Sequence, residues 1–122
     1  MARGLGEFEQ LILLALIDLE GEEAYGVPIR ESIERRTARR VSTGAVYTAL
    51  DRLSGRGLVS SRLGEPTAER GGRRKRIYRL EPAGVRTLGE SVRVLADMAR
   101  GLLPRLELQG AGDRVRAARK AR

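Results

Sequence analysis

At 122 residues, 41% of them hydrophobic and 33% charged, the chain has the composition of a globular domain with one modest core, small enough that a partner chain would help to bury it. It contains no Cys and no His, which removes the usual ligands of zinc and copper, the thiol nucleophile and the commonest general acid or base, so neither an enzyme nor a metal or cofactor is expected. The formal net charge of +8 favours a polyanionic partner.

The first predicted helix covers residues 6–19 (GEFEQLILLALIDL), with its acids early, where the helix dipole favours them. From Leu11 to Ile17 its apolar side chains point in nearly every direction, so it needs other elements around it. That run is far shorter than the roughly 20 residues of a membrane span. Nothing at the N-terminus has the basic start and cleavage site of a signal peptide, and a cytoplasmic protein without a membrane partner is expected. A turn at residues 20–23 leads to a second helix from about Tyr25 to Arg36, with Tyr25, Ile29 and Ile33 on one face. Pro28 falls in its first turn, where the N–H groups have no intrahelical partner anyway.

A third helix begins after Val41, with Ser42 as N-cap, an apolar stripe of Val46, Ala49, Leu50 and Leu53, and Gly57 beyond its end. At about 100° per residue the opposite direction holds Gly44, Thr48, Asp51 and Gly55, flanked by Tyr47 and Arg52. This face is small and polar, unlike a solvated face covered with Lys and Glu. Residues 58–63 and 74–80 then read as two strands joined by the Gly/Pro/Glu loop GEPTAERGG, which makes a hairpin.

The last predicted helix starts at Glu81-Pro82. Its apolar residues Val85, Leu88, Val92, Leu95, Ala99, Leu102 and Leu106 alternate in steps of three and four, a heptad seam that suggests a dimer. The nearly all-apolar first helix, with Phe8 and Ile12, would supply a second surface for the mate; the other reading has the terminal helix folded back on its own domain. Gly101 and Pro104 should stop this helix around Leu103. The expected organisation is therefore mainly α with a small β-hairpin (α+β): a winged helix-turn-helix domain at 5–80, a dimerisation helix at 81–106 and a loose basic tail at 107–122.

Helix, helix, helix, hairpin is the order of a winged helix-turn-helix, in which the third helix enters the DNA major groove and the hairpin lies against a neighbouring groove or the backbone. The alternative is a small helical bundle whose third helix is ordinary surface. Charge position favours DNA. Residues 4–29 hold six acids and no base, residues 30–80 hold fourteen bases against five acids, and the last ten residues add five bases against one acid. Arg73, Arg74, Lys75 and Arg76 are candidates for phosphate neutralisation or minor-groove entry, and Arg39 and Arg40 are further phosphate candidates. With strand alternation about half of the hairpin's four would point productively. Tyr78 and Leu80, on one strand face, and Tyr25 read as packing residues.

LGEFEQLILLAL, EEAYGVPI and VSTGAVYTALDRLSGRGLVSSRLGEPTAERGGRRKRIYRLEPAG, with the spacing that links AYG, GAVYTALDRL, GLV and GGRRKRIYRL, strongly resemble the PadR family of bacterial transcriptional regulators over about residues 5–100. The resemblance implies a winged-helix DNA-binding domain followed by a C-terminal dimerisation helix, in members that are mostly repressors, often relieved by a small molecule. The short C-terminal part resembles the small subfamily with one long terminal helix. Carried over by position, Ser42, Thr43, Tyr47 and Thr48 match the DNA-facing part of the recognition helix, and Arg52 matches the arginine of the family's LxRL pattern. Arg52 could equally form an intramolecular ion pair, with Asp51 or an acid of the wing. Multidrug-binding members of the subfamily stack planar ligands on a tryptophan at the dimer centre. This chain departs from that pattern, having no Trp, so a small-molecule effector would meet aliphatic side chains and Phe8.

Two functions from different classes follow. The first is a homodimeric, sequence-specific repressor that binds double-stranded DNA at an inverted repeat. The second is a winged-helix module that docks electrostatically on a protein or RNA and makes little use of the outer face of the third helix.

Overall fold

The sequence folds as its apolar spacing requires. The computed structural model describes residues 4–66 and 74–107, and within them the order is α1 (Glu7–Asp18), α2 (Gly26–Thr37), α3 (Thr43–Gly55), β1 (Val59–Leu63), β2 (Arg76–Leu80) and α4 (Pro82–Ala99). The fold is mainly α with one two-stranded antiparallel hairpin, as expected. Residues 67–73, which include Arg73 and most of the expected loop, lie outside the described residues, as does the expected tail from residue 108 onward.

Helix α1 starts at Gly6, whose N–H donates to the Glu9 carboxylate at 2.9 Å, satisfying one of the donors that a helix start leaves unpaired. It buries Ile12, Leu13, Ala15 and Leu16, while Leu14 and Ile17 remain 44% and 45% exposed. The all-round apolar pattern is therefore covered on one side and open on the other within a single chain. At its C-terminal end Asp18 accepts hydrogen bonds from the fully buried Ser32 hydroxyl (2.7 Å), from Arg35 (3.0 Å) and from Arg36 (3.4 Å), fastening α1 to α2. The Ser32 hydrogen bond, aided by the two arginines against a partial loss of hydration, holds the Asp18 carboxyl below its ordinary range.

Helix α2 ends at Ala38, which adopts a left-handed conformation (φ 59°) and turns the chain toward α3. Glu34 steadies that turn, accepting from Val41 N–H at 2.8 Å while pairing with Arg30 at 3.0 Å. Helix α3 is capped as expected, the Ser42 hydroxyl accepting from Ala45 N–H at 3.0 Å. It sends Val46, Ala49, Leu50 and Leu53, all 0% exposed, into a core shared with Ile12, Leu13, Ile29 and Ile33. Each of the Val, Leu and Ile side chains contributes about 1.5–3 kcal/mol by leaving water.

Gly57 (φ 74°) reverses the chain into the hairpin, whose register pairs Val59 with Leu80, Ser61 with Tyr78 and Leu63 with Arg76 on one face, and Ser60 with Arg79 and Arg62 with Ile77 on the other. Tyr78 is buried, as expected, and packs with Val59 into the helical core. Burial first, then the Asp51 charge, raises the Tyr78 phenol above its ordinary range, with Arg76 acting against them. Helix α4 leaves the hairpin with Gly84 directly over the Leu58 carbonyl, an approach that leaves no room for a Cβ.

The chain divides into two compact units, Met1–Ser91 and Val92–Arg122. In the first, Leu88 of α4 is buried in the core, 3% exposed. In the second, Val92, Val94, Leu95, Met98, Leu102, Leu103 and Leu106 are all exposed. Two expectations change here. Helix α4 stops at Ala99, earlier than Leu103, because Gly101 takes φ 78° and breaks the helical path; residues 103–107 then form a further helical turn. Ile12 and Leu88, expected among the dimer contacts, are consumed by the chain's own core, 0% and 3% exposed. The heptad pattern placed Leu88 correctly on the apolar stripe but could not say which body that stripe faces at that point.

Candidate nucleic-acid interface

The candidate surface combines the outer face of α3, the loop before it and the hairpin. On α3, Gly44, Thr48, Asp51 and Arg52 are exposed, and Thr43 is half-buried. Thr48 is exposed, and its hydroxyl donates to the Gly44 carbonyl at 2.9 Å, which leaves the oxygen lone pairs able to accept. Such a group can accept from a base amino group or touch a thymine methyl. The Ser42 oxygen is engaged by the cap, which leaves its own O–H free to donate. Gly44, in the first turn, adds no side chain to this face.

Tyr47 sits differently from a plain outward tyrosine. It is 37% exposed, and the end of its ring lies so close to Gly26 that a Cβ there would come within 2.6 Å of it. The side chain is anchored on α2 while one edge remains open to solvent. Arg52 forms no ion pair or hydrogen bond through its side chain among the described residues, so neither Asp51 nor a described wing acid holds it.

The loop before α3 splits its two arginines. Arg39 makes a bidentate pair with Glu7 at 2.8 and 3.1 Å, and this hydrogen-bonded pairing lowers the Glu7 carboxyl from its ordinary range. Arg40 is exposed and has no such partner among the described residues. The described basic residues of the hairpin run also divide. Arg74 Nε donates to the Gly64 carbonyl at 2.9 Å and Arg76 to the Ser61 hydroxyl at 3.0 Å, both within the hairpin, whereas Lys75 reaches Tyr25 in the turn before α2.

Known proteins share this order of helices and hairpin. The model of the transcriptional regulator PadR-like family matches residues 13–90, which cover the second half of α1, all of α2 and α3, and the hairpin. The chain belongs to the PadR-like family of transcriptional regulators. A curated relative, transcriptional regulator Rv3488 of Mycobacterium tuberculosis, is 36% identical over 81 residues, covering 66% of this chain and 71% of that one. Solved structures with the same fold include a transcriptional regulator from Clostridium thermocellum (TM-score 0.63, 23% identity, 80% of this chain and 86% of that one). A PadR family regulator from Clostridium difficile R20291 matches with TM-score 0.59 and 24% identity over 80% of this chain and 99% of that one. One from Eggerthella lenta matches with TM-score 0.60 and 25% identity over 83% and 87%.

In this PadR-like chain the structure gathers Ser42, Thr43, Tyr47, Thr48 and Arg52 on one helix with the Arg39-Arg40 loop just before it, while Arg73 lies outside the described residues. Arg62 was missed by reading the sequence. It is exposed on β1, shares its strand face with Arg79, and has no side-chain partner among the described residues. Strand alternation could have put it beside Arg79, but the weak alternation of LVSSRL hid the register. Within the helices of the described residues, none is long and apolar enough to cross a membrane.

Proposed function

We propose that this PadR-like protein is a homodimeric repressor that binds double-stranded DNA in a sequence-specific way at an inverted repeat and blocks transcription by occluding a promoter. The observation that carries the reading is the outer face of α3, where a capped helix start, Gly44 and an exposed Thr48 leave space for base edges beside Arg52, whose side chain has no partner among the described residues. Arg40, Arg62, Arg74 and Arg76 would neutralise phosphates on either side, fixing register without reading sequence. Arg39 would join them only by exchanging Glu7 for a phosphate. The exposed apolar residues of the second unit, and separately Leu14 and Ile17 of α1, favour a mate that covers them, since a solvated monomer rarely leaves so many large apolar side chains bare. An effector that relieves repression would meet aliphatic side chains, with no tryptophan to stack on.

A gel-shift titration on the DNA upstream of the protein's own gene tests the proposal. Retention of that fragment at moderate salt, well below the concentration that shifts random duplex, is the expected result; equal affinity for both removes sequence-specific regulation.

A further inference from the structure

The short segment Ala24-Tyr25-Gly26 touches both halves of the candidate interface. The Ala24 carbonyl accepts a hydrogen bond from Tyr78 N–H at 2.8 Å, tying β2 to the turn before α2. Lys75 Nζ donates to the Tyr25 phenol oxygen at 3.1 Å and stands 4.2 Å from the centroid of the same ring. Gly26, by lacking a Cβ, admits the Tyr47 ring of α3. Among the described residues, only Lys75 of the run Arg74 to Arg76 bonds outside the hairpin, and it is half-buried where its two neighbours are exposed. An ammonium held by both a hydroxyl and an aromatic face has given up part of its hydration to this site and is poorly placed for a phosphate.

We propose that Tyr25 and Lys75 are positioning residues: their contact latches the root of the hairpin to the start of α2, so that the hairpin's arginines already stand beside α3 when DNA arrives. The inference rests on the DNA-binding reading above. It assigns Lys75 to the arrangement of the interface, and takes it out of the set of phosphate contacts. Breaking the latch leaves every arginine able to reach its phosphate, but only after the hairpin has been ordered at the expense of binding. Affinity falls while the number of counterions released stays the same.

The test uses the full chain and its Tyr25→Leu, Tyr25→Phe, Lys75→Gln and Arg74→Gln variants, with amide hydrogen exchange of residues 75–80 and duplex affinity measured against salt. Tyr25→Leu is expected to speed hairpin exchange and weaken duplex binding, each about fivefold, with an unchanged slope of log affinity against log salt. Lys75→Gln should behave in the same way, whereas Arg74→Gln should flatten the slope by about 0.9. Tyr25→Phe keeps the ring, and should loosen the hairpin in the same direction by less, which decides the matter should the leucine variant fold poorly. A slope loss of about 0.9 in Lys75→Gln makes Lys75 a phosphate contact and overturns the proposal. Hairpin exchange as slow in both Tyr25 variants as in the wild type overturns the latch itself. A wild-type chain that binds no duplex defeats the DNA-binding reading separately, and the exchange rates still judge the latch.

Discussion

Individual side chains divide into those that hold the fold and those left over for a partner. Asp18 belongs to the first group. Its carboxyl is lowered by the Ser32 hydroxyl and the flanking Arg35 and Arg36, so its contribution to stability is present above its ordinary value of 3.8 and is lost as pH falls through the lower, folded-state value. Urea midpoints followed from pH 6 downward should show an acid-side loss of stability that is smaller in Asp18→Asn, which is already less stable at neutral pH. An unaltered acid limb in that variant would mean that Asp18 does not stabilise the fold through its charge. Under the proposed function, Thr48 and Arg52 belong to the second group. Replacing Thr48 by Val keeps its shape and removes its hydroxyl, and should shift base preference at one position per half-site, by about 1–3 kcal/mol for a contacted base. Arg40→Gln and Arg62→Gln should instead weaken binding on all sequences and flatten the salt slope by about 0.9 for each phosphate contact removed.

At the scale of elements, the caps and close approaches decide where each helix lies. Ser42→Ala removes the bond to Ala45 N–H and should cost about 1 kcal/mol, read as a lower urea midpoint, while Ser42→Asn should largely retain it. Gly84→Ala drives a methyl group into the Leu58 carbonyl and should cost about 1–3 kcal/mol by the same measurement, since helix and hairpin must part to admit it. Most elements were legible because each carries a local signal: the apolar stripe of α3, the Ser42 cap, the Gly57 reversal and the two strand segments. The stripe's opposite, the small polar face, was legible for the same reason, as it follows from helical geometry alone. Legibility failed where a residue's role depends on an element remote in sequence. Arg39 meets Glu7 of α1 across 32 positions, and Lys75 meets Tyr25 before α2, contacts that neither the loop nor the basic run could show by itself. Ile12 and Leu88 had the right apolar character, but only packing decides whether such a residue serves the core or a mate. At Gly101 a single backbone angle ended α4 before Pro104 could.

For the whole molecule, the acids of residues 4–29 and the bases of residues 30–80 were visible as a segregation of charge in the sequence, and the fold spends part of that charge internally, on Asp18, Glu7 and Glu34. Among the described residues, the exposed Arg40, Arg52, Arg62, Arg74 and Arg76 are left without an acidic partner. Leu95 and Leu102 in the second unit are 66% and 44% exposed, and replacing both by Glu should convert the protein to monomers in sedimentation experiments. A two-half-site operator would then be bound about 100-fold more weakly or worse, because each half must bind alone. Whether α3 reads base sequence as one half of a twofold dimer is decided by selecting bound sequences from a random pool of duplex DNA. An inverted repeat should be enriched, with half-sites about one or more helical turns apart, lost on dimer disruption and altered at a single position per half-site by the Thr48 variant. A pool that emerges with no enriched sequence would mean that the protein does not read DNA in this way.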